Sequence, residues 1–241
     1  MTVEDFIGRQ AAEFEKNIHD LKSFKTAIPA VTVAMQPGSG GYLIAQMVAK
    51  RLGFTLYSKN LLNSMANKAD VKASVLDEIE KNRLSKIEDF FASILPEKDY
   101  VYPGDYFEQL KDTISNLAII GKGVIVGRGA NFIIPPEKRF SIHVVAPLEI
   151  RVRNVAFHFK VTLGKAKKRI VNREAKRKAF IKENFHKNID DDMNYDLTIN
   201  TARMDLETCV ELVIGAIKGA QVNRGFQKAS SYILRSKNGS V

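Results

Sequence analysis

Residues 31–53 constrain this chain more than any other stretch. Val31-Thr-Val33 is a β-branched run, it meets a turn built on Gly38, Gly40 and Gly41, and the turn opens onto a segment with Ile44, Val48 and Leu52 at four-residue spacing. The pattern predicts a strand, a glycine-rich loop and a helix. Its physics favours a bound phosphate: glycines let the backbone approach closely, successive N–H groups face inward, and the helix N-terminus adds the positive end of its dipole. The match to G-x-x-x-x-G-K-[ST] is incomplete. With Gly40 as the last glycine, Gly41 stands at the lysine position, followed by Tyr42 and Leu43. A tight strand-to-helix turn that binds nothing gives a similar pattern.

The rest of the chain sets a frame for that loop. Its 241 residues, 45% hydrophobic and 27% charged, are ordinary for a globular protein and sufficient for a full core. A formal charge of +10 points to anionic partners. The single Cys209 excludes an intrachain disulfide and a cysteine-based metal site, residues 1–21 lack the apolar segment of a secretory leader, and no run approaches the ~18 apolar residues of a membrane span. The expected location is therefore cytoplasmic, with no membrane partner.

Residues 2–25 read as an amphipathic helix, the core of an N-terminal extension over 1–30. The main domain is expected over 31–225, and a polar tail over 226–241 is expected to fray. Phe54 to Leu62 reads as a second strand running into a helix, residues 61–95 as helical, and Pro96 to Asp105 as a loop. Phe107, Leu110, Ile114, Leu117 and Ala118 supply the buried face of the next helix. Gly123 to Val126, Phe140 to Ala146 and Tyr195 to Asn200 are further strands. A last helix covers 206–220, with Cys209, Leu212, Val213 and Ile217 expected inside. Short buried strands alternating with helices predict an α/β fold: a parallel sheet with helices on both faces, a helical insert near 63–115 and a basic helical lid over 148–187.

In such a sheet, ligands sit beyond the carboxyl ends of the strands. The groups that emerge there are the 38–41 loop, Tyr57 to Asn60, Arg128 between two glycines, and the basic helices after Pro147. A loop for one polyphosphate, a fixed arginine for a second anion and a basic lid over both is a layout that suits phosphoryl transfer.

The ordered blocks Gly38-Ser-Gly-Gly41 with Ile44-Ala45, Phe54 to Leu62, Gly127-Arg-Gly-Ala-Asn131, Val145-Ala-Pro-Leu-Glu149 with Arg151, Glu174 with Arg177, and Tyr195-Asp-Leu-Thr-Ile-Asn-Thr201 resemble the cytidylate kinase-like family. The resemblance runs from about Val31 to Ile217. It implies a P-loop nucleotide kinase fold, ATP or another nucleoside triphosphate with Mg²⁺ as donor, and a nucleoside monophosphate or similar small acceptor. Carried over, it implies that Gly38, Ser39, Gly40, Gly41 and Tyr42 cradle the donor, and that Arg128 holds the acceptor phosphate, with Lys59 and Arg173 completing the acceptor set. Arg151 and Arg177 become lid groups that neutralise charge on the transferred phosphoryl, a role suited to bidentate guanidinium.

Several positions depart from the family pattern. Tyr42 and Leu43 replace the family's Arg-Glu, Tyr57-Ser58-Lys59-Asn60 stands for its Tyr-Asp-Lys-Glu, and Val126 and Gly129 replace the two acids that flank the acceptor arginine in true cytidylate kinases. No protein metal-ligand set is legible, which leaves Mg²⁺ to the phosphates and water. Losing one preorganised group of a charge-stabilising set costs roughly 10²–10³ in rate, so catalysis is expected to be impaired. Two further readings stand beside the kinase: a catalytically degenerate nucleotide-binding or sensor protein of the same fold, and a nucleic-acid binder using residues 151–187. The phenylalanines of that segment, Phe157, Phe159, Phe180 and Phe185, fit helix packing better than base stacking, which argues against the last. A homo-oligomer is compatible with this reading.

Overall fold

The computed structural model describes residues 30–58, 62 and 106–220. The expected N-terminal helix, most of the insert, Lys59 and the C-terminal tail lie outside the described residues. Contacts divide the chain into residues 28–214 and a second unit of 1–27 with 215–241.

Among the described residues five strands run parallel: β1 (Ala30–Met35), β2 (Thr55–Tyr57), β3 (Gly123–Val126), β4 (Arg139–Val145) and β5 (Leu197–Asn200), in the order β2-β3-β1-β4-β5. The helices are α1 (Gly41–Leu52), α2 (Tyr106–Ile120), the short α3 (Ala130–Ile133), α4 (Leu148–Phe159), α5 (Leu163–Phe185) and α6 over 206–220. Since β1 is central and the chain leaves it toward both edges, the ligand crevice of such a sheet opens at the end of β1.

Alternation along the strands gives two unlike faces. Registers that pair Val31 with Val124 and Phe140, and Val33 with Val126 and Ile142, put an apolar set on one face. There α1 lies so close that a Cβ on Gly41 would come 2.5 Å from Met35 Cβ. The start of α6 shares this side, because Arg51 of α1 bridges Glu207 and Glu211. The other face carries Thr32, Ser141 and His143, all buried, beside Ile125. Over Ile125 lie Leu110, Ile114 and Leu117 of α2, with Phe180 of α5 packed against the same cluster.

The basic region 148–187 folds as two helices. Lys160 closes α4 in the left-handed conformation with its N–H on Ala156 O and Phe157 O, and Thr162 caps α5 by accepting from Lys165 N–H. Two packing expectations are corrected. Leu212 is 48% exposed while Cys209, Val210 and Val213 are buried, because Leu212 lies roughly a third of a turn round α6 from their shared face. Phe157 is 81% exposed rather than packed, since at this end of α4 the inward positions are Val152 and Val155.

The Tyr195-Asp-Leu block proves to be architectural. Asp196 accepts from Ser141 N–H at 2.7 Å and from its hydroxyl at 2.9 Å, and buried Arg139 donates to Ser141 Oγ at 2.6 Å and to Ile134 O at 3.0 Å. Together these bonds fix where β5 joins β4.

Candidate functional site

Residues 36–41 leave β1 in a tight turn, with Ser39 N–H donating to Gln36 O at 3.1 Å. Gly38 and Gly40 have φ of +84° and +83°, and a Cβ on Gly38 would meet Arg151 O at 2.7 Å. Only glycine suits such a position. Gly40 caps α1, so the first-turn N–H groups of that helix, lacking intrahelical partners, sit beside the loop. Ser39 Oγ is buried and has no hydrogen-bond partner among the described residues. Tyr42 is 3% exposed, so its ring belongs to the packed part of α1.

Arg128 follows β3. Gly127, Arg128 and Gly129 all have positive φ, at +77°, +55° and +67°. An arginine held in the left-handed region carries strain that its surroundings must sustain, a pattern concentrated at functional sites. Gly127 N–H donates to Val33 O at 3.0 Å, which ties the loop to β1. A Cβ on Gly129 would lie 2.7 Å from Phe185 Cζ, so α5 presses on the loop from the other side. The Arg128 guanidinium carbon stands 5.9 Å from the ring centres of both Tyr106 and Phe180. Around it Phe107, Phe132, Phe180 and Phe185 pack mainly edge to face, with centroids 5.3–6.3 Å apart.

The remaining arginines come from α4 and α5. Arg151 is 5% exposed and donates to Ala146 O at 2.8 Å, Pro37 O at 3.4 Å and Glu174 Oε1 at 2.8 Å. Burial first, then the like charges of Arg177 and Arg128, bring the Arg173 guanidinium down to about 10. Burial also lowers Arg177, against the opposing pull of Tyr195, Glu174 and Asp190 and with the added push of Arg151. Four arginines of the predicted set are thus close enough to act on one another electrostatically, with Glu174 and Asp190 as the nearby carboxylates. Arg177 and Glu174 also line a small cavity together with Gln36, His143, Lys178, Ile189 and Asp190, which brings the α5 cluster to the mouth of the loop.

His143 and Tyr195 stack at 4.5 Å beneath this cluster. Burial, then Arg177, lowers the His143 imidazole, while burial pushes the Tyr195 phenol up to about 12 although Arg177 pulls the other way. Sequence reasoning missed both, and also Asn154 and Thr201, which touch the loop. Asn154 lies three residues after Arg151 and so on the same helix face, a signal that was available.

A family model described as the cytidylate kinase-like family matches residues 30–203. The chain belongs to this family. A cytidylate kinase of Staphylothermus marinus is 26% identical over 76% of this chain and 93% of its own, and one of Methanocaldococcus jannaschii is 26% identical over 78% and 96%. Among solved structures, an uncharacterized protein from Eubacterium ventriosum superposes with a TM-score of 0.61 at 20% identity, covering 78% of this chain and 98% of its own. A gluconokinase from Sinorhizobium meliloti gives 0.52 at 10% identity, covering 83% and 98%. These two likenesses concern the fold.

The donor chemistry of the site fits a polyphosphate: backbone N–H groups at the start of α1, glycines with no room for side chains, an orphaned buried hydroxyl and neighbouring guanidiniums. No group of three or more His, Cys, Asp or Glu side chains suited to holding an ion occurs among the described residues. No helix among them is long and apolar enough to cross a membrane.

Proposed function

We propose that this protein is a phosphotransferase that moves the γ-phosphoryl group of a nucleoside triphosphate such as ATP to a nucleoside monophosphate, giving two diphosphates. The observation that carries this reading is the run of neighbouring arginines Arg128, Arg173, Arg177 and Arg151, which reaches the glycine-rich loop where Arg151 donates to Pro37 O. Guanidiniums placed so near one another repel, and the natural counterweight is a ligand with several negative charges. Family membership and the names of the archaeal relatives support the choice of monophosphate.

In this reading the N–H groups of the 38–41 loop and of the first turn of α1 hold the donor phosphates. Arg128, anchored between Tyr106 and Phe180, takes the acceptor phosphate, with Arg173 beside it. Arg177 reaches the transferred group from α5, and Lys59, which lies outside the described residues, completes the proposed acceptor set. Arg151 spends its donors on Ala146, Pro37 and Glu174, and contributes mainly by fixing α4, α5 and the loop to one another. Phosphoryl transfer asks chiefly for positioning and charge stabilisation, which this set provides. Mg²⁺, when present, neutralises the phosphates and is carried by them and by water.

A second reading, a nucleotide-binding protein with little turnover, draws on Gly41 and Ser58. One offers no lysine, the other no carboxylate at the end of β2. A panel of nucleoside monophosphates with ATP and Mg²⁺, followed by diphosphate formation, separates the two. The proposal expects one preferred monophosphate and a rate below the roughly 1–100 s⁻¹ of ordinary kinases. ATP binding without any diphosphate product favours the second reading, and absence of ATP binding overturns both.

A further inference from the structure

The shape of the 36–41 loop is imposed by side chains from outside it. Thr201, just beyond β5, donates its hydroxyl to Ser39 O at 2.7 Å, Asn154 of α4 donates to Gly38 O at 2.9 Å, and Arg151 donates to Pro37 O at 3.4 Å. Three successive loop carbonyls are therefore held. In a planar trans peptide the carbonyl of one residue and the N–H of the next point in opposite directions. Holding Pro37 O and Ser39 O thus aims the N–H groups of Gly38 and Gly40 to the opposite side, while the Ser39 N–H between them is used inside the turn on Gln36 O.

Resting on the nucleotide reading above, we propose that Thr201 is a positioning residue for phosphate binding, assisted by Asn154. At the end of β5 its hydroxyl adds only a longer contact to Val145 O, at 3.4 Å, where the Thr201 backbone N–H already donates at 3.0 Å. The bond to Ser39 instead ties the end of the last strand to a loop 162 residues earlier. Thr201 acts through the loop and touches no reacting atom. With it in place the two N–H groups are presented to an anion before one arrives, so binding does not have to order them.

Thermal stabilisation by ATP, and separately by pyrophosphate, tests this in the full chain with Thr201→Val, Thr201→Ser and Asn154→Leu. Valine keeps the shape and loses the donor, and the apparent affinity for both ligands is expected to fall about tenfold, the worth of one net hydrogen bond. Serine is expected to restore it. A purely structural role would lower the melting temperature of the unliganded protein and leave the ligand-induced shift intact. Asn154 is exposed, so Asn154→Leu leaves the core untouched, and it is expected to weaken binding in the same direction, which keeps the test decisive even if Thr201→Val does not fold. Undiminished binding by Thr201→Val or by Asn154→Leu, or failure of serine to rescue, overturns the assignment. A wild-type chain that neither ATP nor pyrophosphate stabilises overturns the nucleotide reading first, and this one with it.

Discussion

A Cβ on Gly41 would lie 2.5 Å from Met35 Cβ and 3.0 Å from Val144 Cβ, so a lysine in the position that the G-x-x-x-x-G-K pattern assigns has no room to leave the backbone here. Gly41→Lys is expected to lower stability by about 1–3 kcal/mol, the usual cost of overpacking, and to add no turnover; a melting curve and the monophosphate assay check both. The same reasoning makes Gly38→Ala costly: φ is +84° and the new methyl would press on Arg151 O. About 1–3 kcal/mol of strain is expected, together with loss of ATP-induced stabilisation. Arg128 tests the acceptor side. Arg128→Lys keeps the charge and loses the fork, so the KM for the monophosphate is expected to rise while that for ATP holds. Equal changes in both would return Arg128 to a structural role.

At the scale of elements, the pairing of α5 with β4 makes stability depend on pH. His143 is 2% exposed, and its neighbours are Arg177 on α5, Asp190 and Asp192 before β5, and the Tyr195 ring. Burial and Arg177 lower its folded pKa below the ordinary 6.5, so between the two values the unfolded chain binds the extra proton. Stability is then fully present above about 6.5 and declines as pH falls toward the lowered value. His143→Phe, which keeps a ring against Tyr195, is expected to flatten that part of the profile when melting is followed from pH 7.5 to 5.5. An unchanged slope would mean that other groups set it. Elements were also what the sequence showed most clearly. The β-branched runs of β1, β3 and β4 and the helical spacing of α2 follow directly from the need to bury a parallel sheet and its covering helices. The break at Lys160 to Thr162 was hidden, because a left-handed residue at a helix end needs no glycine when a lysine can adopt it.

For the molecule as a whole, α4 and α5 carry an excess of cations, and Arg128, Arg151, Arg173 and Arg177 stand near one another, which makes binding depend on salt. The Debye length shrinks from ~8 Å at 0.15 M to ~3 Å at 1 M, so ATP affinity is expected to fall as ionic strength rises, which titration in sodium chloride would measure. The arginines of this site were legible because their residue type and place beyond strand ends are local facts of sequence. Their supports were not: Tyr106 beneath Arg128, His143 beneath Arg177 and Thr201 behind Ser39 are brought in by the fold, from distant parts of the chain, and nothing near them in sequence announces the contact. The same arrangement bears on how such a loop ages. Because Arg151, Asn154 and Thr201 grip its carbonyls, the loop draws on one side chain of its own, Gln36, whose Oε1 accepts from Ala146 N–H at 3.1 Å. Drift inside it can erase a lysine or a hydroxyl and still leave the backbone turn standing, whereas a change in any of the three outside residues would loosen a loop whose own sequence had not altered at all.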